Sequence, residues 1–243
     1  MLQLDHHLCL FICVSIMIGK VQITQLAFVI GAKNHNPSLL THDFLRINKI
    51  VDADWVVTSP VFATDIISQV VYKNGVTIIV QPDQISFKQS IEGEYSQNEV
   101  LLQDLALRYL EVFPDINYSA MEINLMGHIE FQSQEELDNY ISDYLLRPGD
   151  WKNFLNKKPS LSATLIYSFE DYQINVSIDP VLIYDDQKAT EKNLGILFAG
   201  SIHRDFILDH NSEDKLKPIK ERVSLWSEDV NSYISLVNDC LLN

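Results

Sequence analysis

Val70-Val71-Tyr72-Lys73-Asn74-Gly75-Val76-Thr77-Ile78-Ile79-Val80-Gln81-Pro82-Asp83-Gln84-Ile85-Ser86-Phe87 decides the fold class. β-Branched and aromatic residues run into Asn74-Gly75, the strongest short-range hairpin signal. The expected connection is a type I′ turn with positive φ at both central residues. Pro82 then ends the second strand, because proline has no amide to give a ladder. The stretch recurs further along the chain. Thr164-Leu165-Ile166-Tyr167 lies over Gln69-Val70-Val71-Tyr72, and Ile78, Val80 and Asp83 fall on Ile174, Val176 and Asp179, each 96 residues further on. The same offset carries Gly31 to Gly127, Phe44-Leu45 to Tyr140-Ile141 and Asp54-Trp55 to Asp150-Trp151. Matches in strands, a helix and a Trp landmark point to a duplicated unit.

A chain of 243 residues with 47% apolar and 21% charged residues has the composition of a globular protein with a sizeable core. Its net charge of −15 repels phosphate backbones and anionic lipid surfaces, so neither nucleic acid nor membrane is expected as a partner. Three cysteines, Cys9, Cys13 and Cys240, show no CxxC spacing. This argues against a disulfide framework and a zinc site and for a reducing, cytoplasmic setting.

Residues 1–19 hold a short apolar run without the basic start or cleavage pattern of a signal peptide, and an over-long start is the expectation for them. Residues 20–243 read as one domain of two pseudo-equivalent halves, 20–116 and 117–243. Gln25 to Ala32 reads as the first strand, and the spacing of Leu39, Leu40, Phe44, Leu45 and Ile47 as a helix. Ser96 to Glu99 and Ser133 to Glu136 are capping-box patterns opening amphipathic helices, the first closed by Pro114. In the second half Tyr118 to Phe131, Leu161 to Phe169, Tyr172 to Ile178 and Leu194 to Ile202 read as strands. From Pro218, apolar residues at Ile219, Val223, Trp226, Val230, Tyr233, Val237 and Leu241 predict one long C-terminal helix. The fold class expected is α+β: a two-layer protein of duplicated β-α-β-β-β-α halves sharing one antiparallel sheet, with helices on one face.

Asn36-Pro37, Phe44-Leu45, Asp54-Trp55, Asn74-Gly75-Val76, Gln81-Pro82, Leu145-Leu146-x-Pro148-Gly149-x-Trp151 and Phe198-Ala199-Gly200-Ser201 resemble a group of cyanobacterial-type proteins. No activity is established for that group, so the resemblance implies no site residues. The repeated unit also resembles the layout of the TATA-binding protein, which bears on architecture alone.

Catalytic motifs are absent from the sequence: it holds no GxGxxG, P-loop, GxSxG, HExxH or EF-hand loop. No metal ligands, cofactor or catalytic residues are therefore assigned. Ser201, His203 and Asp205 would share one side of a strand, which makes them the most concrete enzymatic possibility, of hydrolase type. His35 and His42 are expected on the surface, and Trp55 and Trp151 as packing residues. The pattern of most interest is on the second hairpin, where Tyr172, Ile174, Val176 and Ile178 alternate with Gln173, Asn175 and Ser177. One face is apolar and the other carries amides and hydroxyls without charge, and Thr77 and Gln81 stand on the matching side of the first hairpin. Solvent-facing strands more often carry Lys and Glu, and a neutral polar face costs less to desolvate. The functional expectation is a non-enzymatic cytoplasmic binding or assembly protein. It would use Thr77, Gln81, Gln173, Asn175 and Ser177 on an open sheet face, or the groove between halves, to hold a protein partner. The oligomeric state is open at this point.

Overall fold

The computed structural model describes residues 19–243 apart from 34, 59, 147, 148, 150, 151, 153, 154, 156, 185–191 and 207–213. The leader, Trp151 and most of the polar links at 185–193 and 205–217 lie outside the described residues.

Alternating apolar residues build one antiparallel nine-stranded sheet in a mixed α+β protein. The strands are β1 (Gln22–Lys33), β2 (Phe62–Ala63), β3 (Ser68–Val71), β4 (Val76–Gln81), β5 (Gln84–Ser90), β6 (Asn117–Phe131), β7 (Ala163–Ser168), β8 (Gln173–Tyr184) and β9 (Lys192–Asp205). Their order across the sheet is β2-β3-β4-β5-β1-β6-β9-β8-β7, with β1 and β6 paired at the centre from Phe28↔Ile123 outward. The inward residues are almost fully buried: Val76, Ile78 and Val80 on β4, Ile85 and Phe87 on β5, Val176 on β8, Ile196 and Phe198 on β9. Each side chain of this kind contributes roughly 1.5–3 kcal/mol by leaving water.

The helices are α1 (His42–Ile47), α2 (Leu102–Val112), α3 (Gln134–Asn139), α4 (Lys217–Ser224) and α5 (Trp226–Ser235). α3 and α5 each run on into a wider π-type turn, Tyr140–Leu145 and Leu236–Leu241. Tyr109 of α2 meets Phe87, Tyr140 meets Phe131 and Trp226 of α5 meets Phe28, with ring centroids 5.6–5.8 Å apart. Phe28, Phe87 and Phe131 all point to the same side of their strands, as does Gly200. A Cβ at Gly200 would lie 2.1 Å from the Tyr233 ring, so the missing side chain is what lets α5 settle on β9.

Several local expectations are corrected. Asn74-Gly75 is not a two-residue type I′ turn. Tyr72 N donates to Val76 O (2.8 Å) and Gly75 N to Tyr72 O (3.2 Å), which makes a three-residue loop of Lys73, Asn74 and Gly75. Gly75 has φ +81° while Asn74 keeps negative φ, the pattern of a type I turn closed by a glycine bulge. Pro82-Asp83 is a second tight turn that leads into β5, a strand the sequence reading did not separate. Ser96 makes no capping bond, and α2 begins only at Leu102. Ser133 does cap α3, accepting from Glu136 N (3.2 Å), while Glu136 reaches back to Gln132 N (2.8 Å). The long C-terminal helix is broken at Leu225 between α4 and α5, yet Ile219, Val223, Trp226, Val230, Tyr233 and Val237 all bury as one stripe. The 96-residue offset holds face for face at Ile78/Ile174, Val80/Val176 and Leu45/Ile141. It fails on the central pair, where Phe28 points inward and Asn124 outward, so Gly31 and Gly127 lie on opposite faces.

Candidate functional site

The outward side of the sheet carries every residue singled out for binding, but in two groups. Cross-strand pairing makes one continuous row: Thr77↔Lys88, Lys88↔Ala27, Ala27↔Asn124, Asn124↔Ser201 and Ser201↔Asn175. Thr77 and Gln81 on β4 are thus five strand spacings from Asn175 on β8, roughly 24 Å. Gln173, Asn175 and Ser177 stand together, half-buried, with Ser201 beside them.

This second group is a hydrogen-bonded set. Gln173 Nε2 donates to Asn175 Oδ1 (2.8 Å), Asn175 Nδ2 donates to Ser201 Oγ (3.0 Å), and Ser177 Oγ donates to Asp179 Oδ2 (2.5 Å). Such bonds fix amide orientation before any partner arrives, which lowers the entropy lost on docking. The surroundings are not neutral, contrary to the sequence reading. Asp179 continues the outward row of β8, and Glu122, His203 and Asp205 stand on the adjoining strands. His203 lies between two carboxylates, Nδ1 at 3.4 Å from Glu122 Oε2 and Nε2 at 3.3 Å from Asp205 Oδ1. Glu130 Oε2 accepts from Asn193 (2.9 Å), and its other oxygen is 3.8 Å from His128 Nε2.

The shared strand side of Ser201, His203 and Asp205 is as expected, but they do not form a nucleophile and base. Among the described residues no hydrogen bond joins Ser201 to His203; Asn175 engages the hydroxyl, and carboxylates hold both ring nitrogens. A nucleophile needs its base within hydrogen-bond reach. Nor, among the described residues, do three His, Cys, Asp or Glu side chains converge as a metal site requires. A cleft of about 460 Å³ lies elsewhere, between α3 and the ends of β8 and β9, lined by Leu137, Ile141, Lys157, Lys158, Pro180 and Leu182. Its Lys158 is 4.0 Å from Asp138, which offsets its charge.

Two buried polar residues escaped sequence reading. His35, expected at the surface, is 6% exposed; its Nδ1 pairs with the Tyr109 hydroxyl at 2.8 Å, and its Nε2 has no partner among the described residues. Burial lowers its pKa to about 4, against an opposing pull from Asp83. His42 is half-buried and pairs with the Tyr72 hydroxyl at 3.3 Å. Arg204, between His203 and Asp205, points inward. Its Nη2 is 2.5 Å from Asp229 Oδ1 on α5, its Nη1 is 3.5 Å from Asp171, and its guanidinium lies 4.1 Å over the Tyr172 ring. Strand parity was the signal that could have found Arg204, since Ile202 two residues before is core. Trp55 packs edge-on to Tyr72 at 5.0 Å, the packing role expected of it.

Neither a protein-family model nor a curated protein sequence matches the chain.

Proposed function

We propose that the protein is a non-enzymatic cytoplasmic binding or assembly protein that docks a partner protein on the outward face of its sheet. The observation that carries this is the fixed set Gln173–Asn175–Ser201 bordered by Glu122, Asp179 and Asp205. Oriented amides supply donors and acceptors, and the carboxylates select a partner surface bearing Lys or Arg, in keeping with the net charge of −15. Thr77 at the far end of the same row and Gln81 further along β4 form a second contact. In this reading the helices cover only the opposite face. Segments 20–116 and 117–243 are two copies of one β-α-β-β-β-α unit, in the layout of the TATA-binding protein, with the two-residue β2 added in the first. Supporting it, the strand order runs outward from β1 and β6 in matching fashion, β5-β4-β3 on one side and β9-β8-β7 on the other.

The test compares wild type with the double variant Gln173→Lys, Ser177→Lys by affinity capture from the native host at several salt concentrations. Both side chains are half-buried on the outward face and outside the core, so the variant is expected to lose about 1 kcal/mol and to stay folded. It is expected to lose the captured partner, and salt is expected to release that partner from wild type, since the contacts are ionic at the rim. A variant that recovers the same proteins as wild type removes the open face as the docking surface.

A further inference from the structure

β7 ends the sheet, and among the described residues no strand pairs with its outer edge. Phe169 N donates to Tyr172 O across the turn into β8 (2.9 Å), so the odd-numbered residues of this hairpin turn their backbone toward β8. Alternation along an antiparallel strand then turns the N–H and C=O groups of Thr164, Ile166 and Ser168 to the free edge. From Leu161 to Phe169 the segment Leu-Ser-Ala-Thr-Leu-Ile-Tyr-Ser-Phe carries no charge, proline or glycine. Ile166 is 62% exposed and Phe169 49%. Natural sheets blunt a free edge with lysine, proline, a bulge or a very short strand, and β7 has none of these devices.

We propose that β7 is a homodimer interface, pairing antiparallel with β7 of a second copy about a two-fold axis through Ile166. The choice of a second copy rests on self-complementarity. With Ile166 opposite Ile166, Thr164 faces Ser168 of the second copy and Leu165 faces Tyr167. Hydroxyl thus meets hydroxyl, and aliphatic meets aromatic, pairs that stabilise a sheet. The three outward-turned residues of each copy are then those that exchange backbone hydrogen bonds, so none of their edge groups is left unpaired. Charge does not oppose the pairing: Glu170 and Asp171 of one copy come opposite Ser162 and Leu161 of the other, so no like charges meet across the seam. The operation is isologous and closes on itself, giving a dimer rather than a fibre. It joins two nine-stranded sheets into one, with both outward faces on the same side.

The experiment measures the mass of the full chain by light scattering and sedimentation from about 1 to about 200 µM, for wild type, Ile166→Lys and Ile166→Pro. Proline at 166 removes an amide that points away from β8, and lysine keeps the backbone intact, so at least one variant retains the fold, as far-UV circular dichroism will show. Wild type is expected to dimerise, and both variants to associate at least about tenfold more weakly. In a background with Cys9, Cys13 and Cys240 changed to Ser, Ile166→Cys is expected to oxidise to a disulfide-linked dimer, while Phe62→Cys at the opposite end of the sheet is not. A wild type that stays monomeric over the whole range overturns the proposal, whatever else binds there. So does a folded Ile166→Lys that dimerises as wild type does.

Discussion

The two ends of the sheet treat the same structural problem differently. At one end β3 is covered along its outer side: β2 pairs with it through Phe62 and Ala63, Thr58 N donates to Val71 O (2.8 Å), and Lys73 N donates to Val56 O (2.9 Å). The covering strand is two residues long and follows Pro60, so it offers little template for another chain. At the other end β7 is six residues long, uncharged and uncovered among the described residues. Strands in matching places of the sheet therefore differ in what they leave available. The backbone plan fixes where an edge falls, while the residues flanking it decide whether the edge is closed or offered.

The contrast between the halves extends inward, and it can be tested from the strongest perturbation to the weakest. Ile78→Asp in the first half and Val176→Asp in the second each bury a carboxylate with no partner, at positions 1% and 0% exposed. Both are expected to abolish the cooperative thermal transition. If either half tolerates its Asp, the halves do not share one core.

A smaller effect separates the two residues that tie a strand to the helix after it. On β9, Arg204 grips Asp229 of α5; on β5, buried Gln89 accepts from Leu101 N (2.8 Å) and donates to Glu99 O (2.9 Å) at the entrance of α2. Arg204→Met strands a mostly buried Asp229 and should cost about 3–5 kcal/mol, much of it recovered by adding Asp229→Leu. Gln89→Leu should cost about 1–3 kcal/mol by leaving two backbone groups unpaired. Urea unfolding of the three variants checks the order, and equal losses for the two single changes would erase the distinction.

The gentlest perturbation is acid, because it changes no residue. His35 belongs to the first half, and 96 residues on the chain has Phe131 instead. Because the folded protein holds the His35 pKa near 4, below the usual 6.5, the unfolded chain takes up the proton more readily. Stability is therefore complete above about pH 6.5 and declines as pH falls toward 4, by on the order of 3 kcal/mol in total. His35→Gln, which can still bond Tyr109, is expected to flatten this decline in urea midpoints between pH 7 and 4.5. An undiminished decline in the variant would assign the acid sensitivity to other groups.

How far the fold could be read from the chain follows from the range of each interaction. Ile78, Val80, Ile174 and Val176 announce their faces by alternation, and the α4–α5 stripe announces its own by spacing, because both patterns are local. The Ser96 pattern misled because the Glu99 amide its side chain would cap is taken by the Ser96 carbonyl in a tight turn, while Gln89 of β5 accepts from Leu101 N at the start of α2. The turn at Asn74-Gly75 changed type when Lys73 joined the loop, letting Asn74 keep ordinary φ and leaving the left-handed position to Gly75. His35 was misread because Tyr109, which shelters it, is 74 residues away. At the candidate site the outward residues of β8 were legible, whereas Glu122 and Ser201 enter it through strand register, which no local pattern encodes.

The central pairing of β1 with β6 also sets the order in which the molecule can assemble. The β3–β4–β5 and β7–β8 hairpins close loops of a few residues, while Phe28 and Ile123 are about a hundred residues apart in the chain. Early structure should therefore form at the flanks and the middle of the sheet should seal last, a topology associated with slow folding. Until then β1, β6 and β9 stand as temporary edges rich in Ile, Phe and Leu, so refolding yield should fall as protein concentration rises.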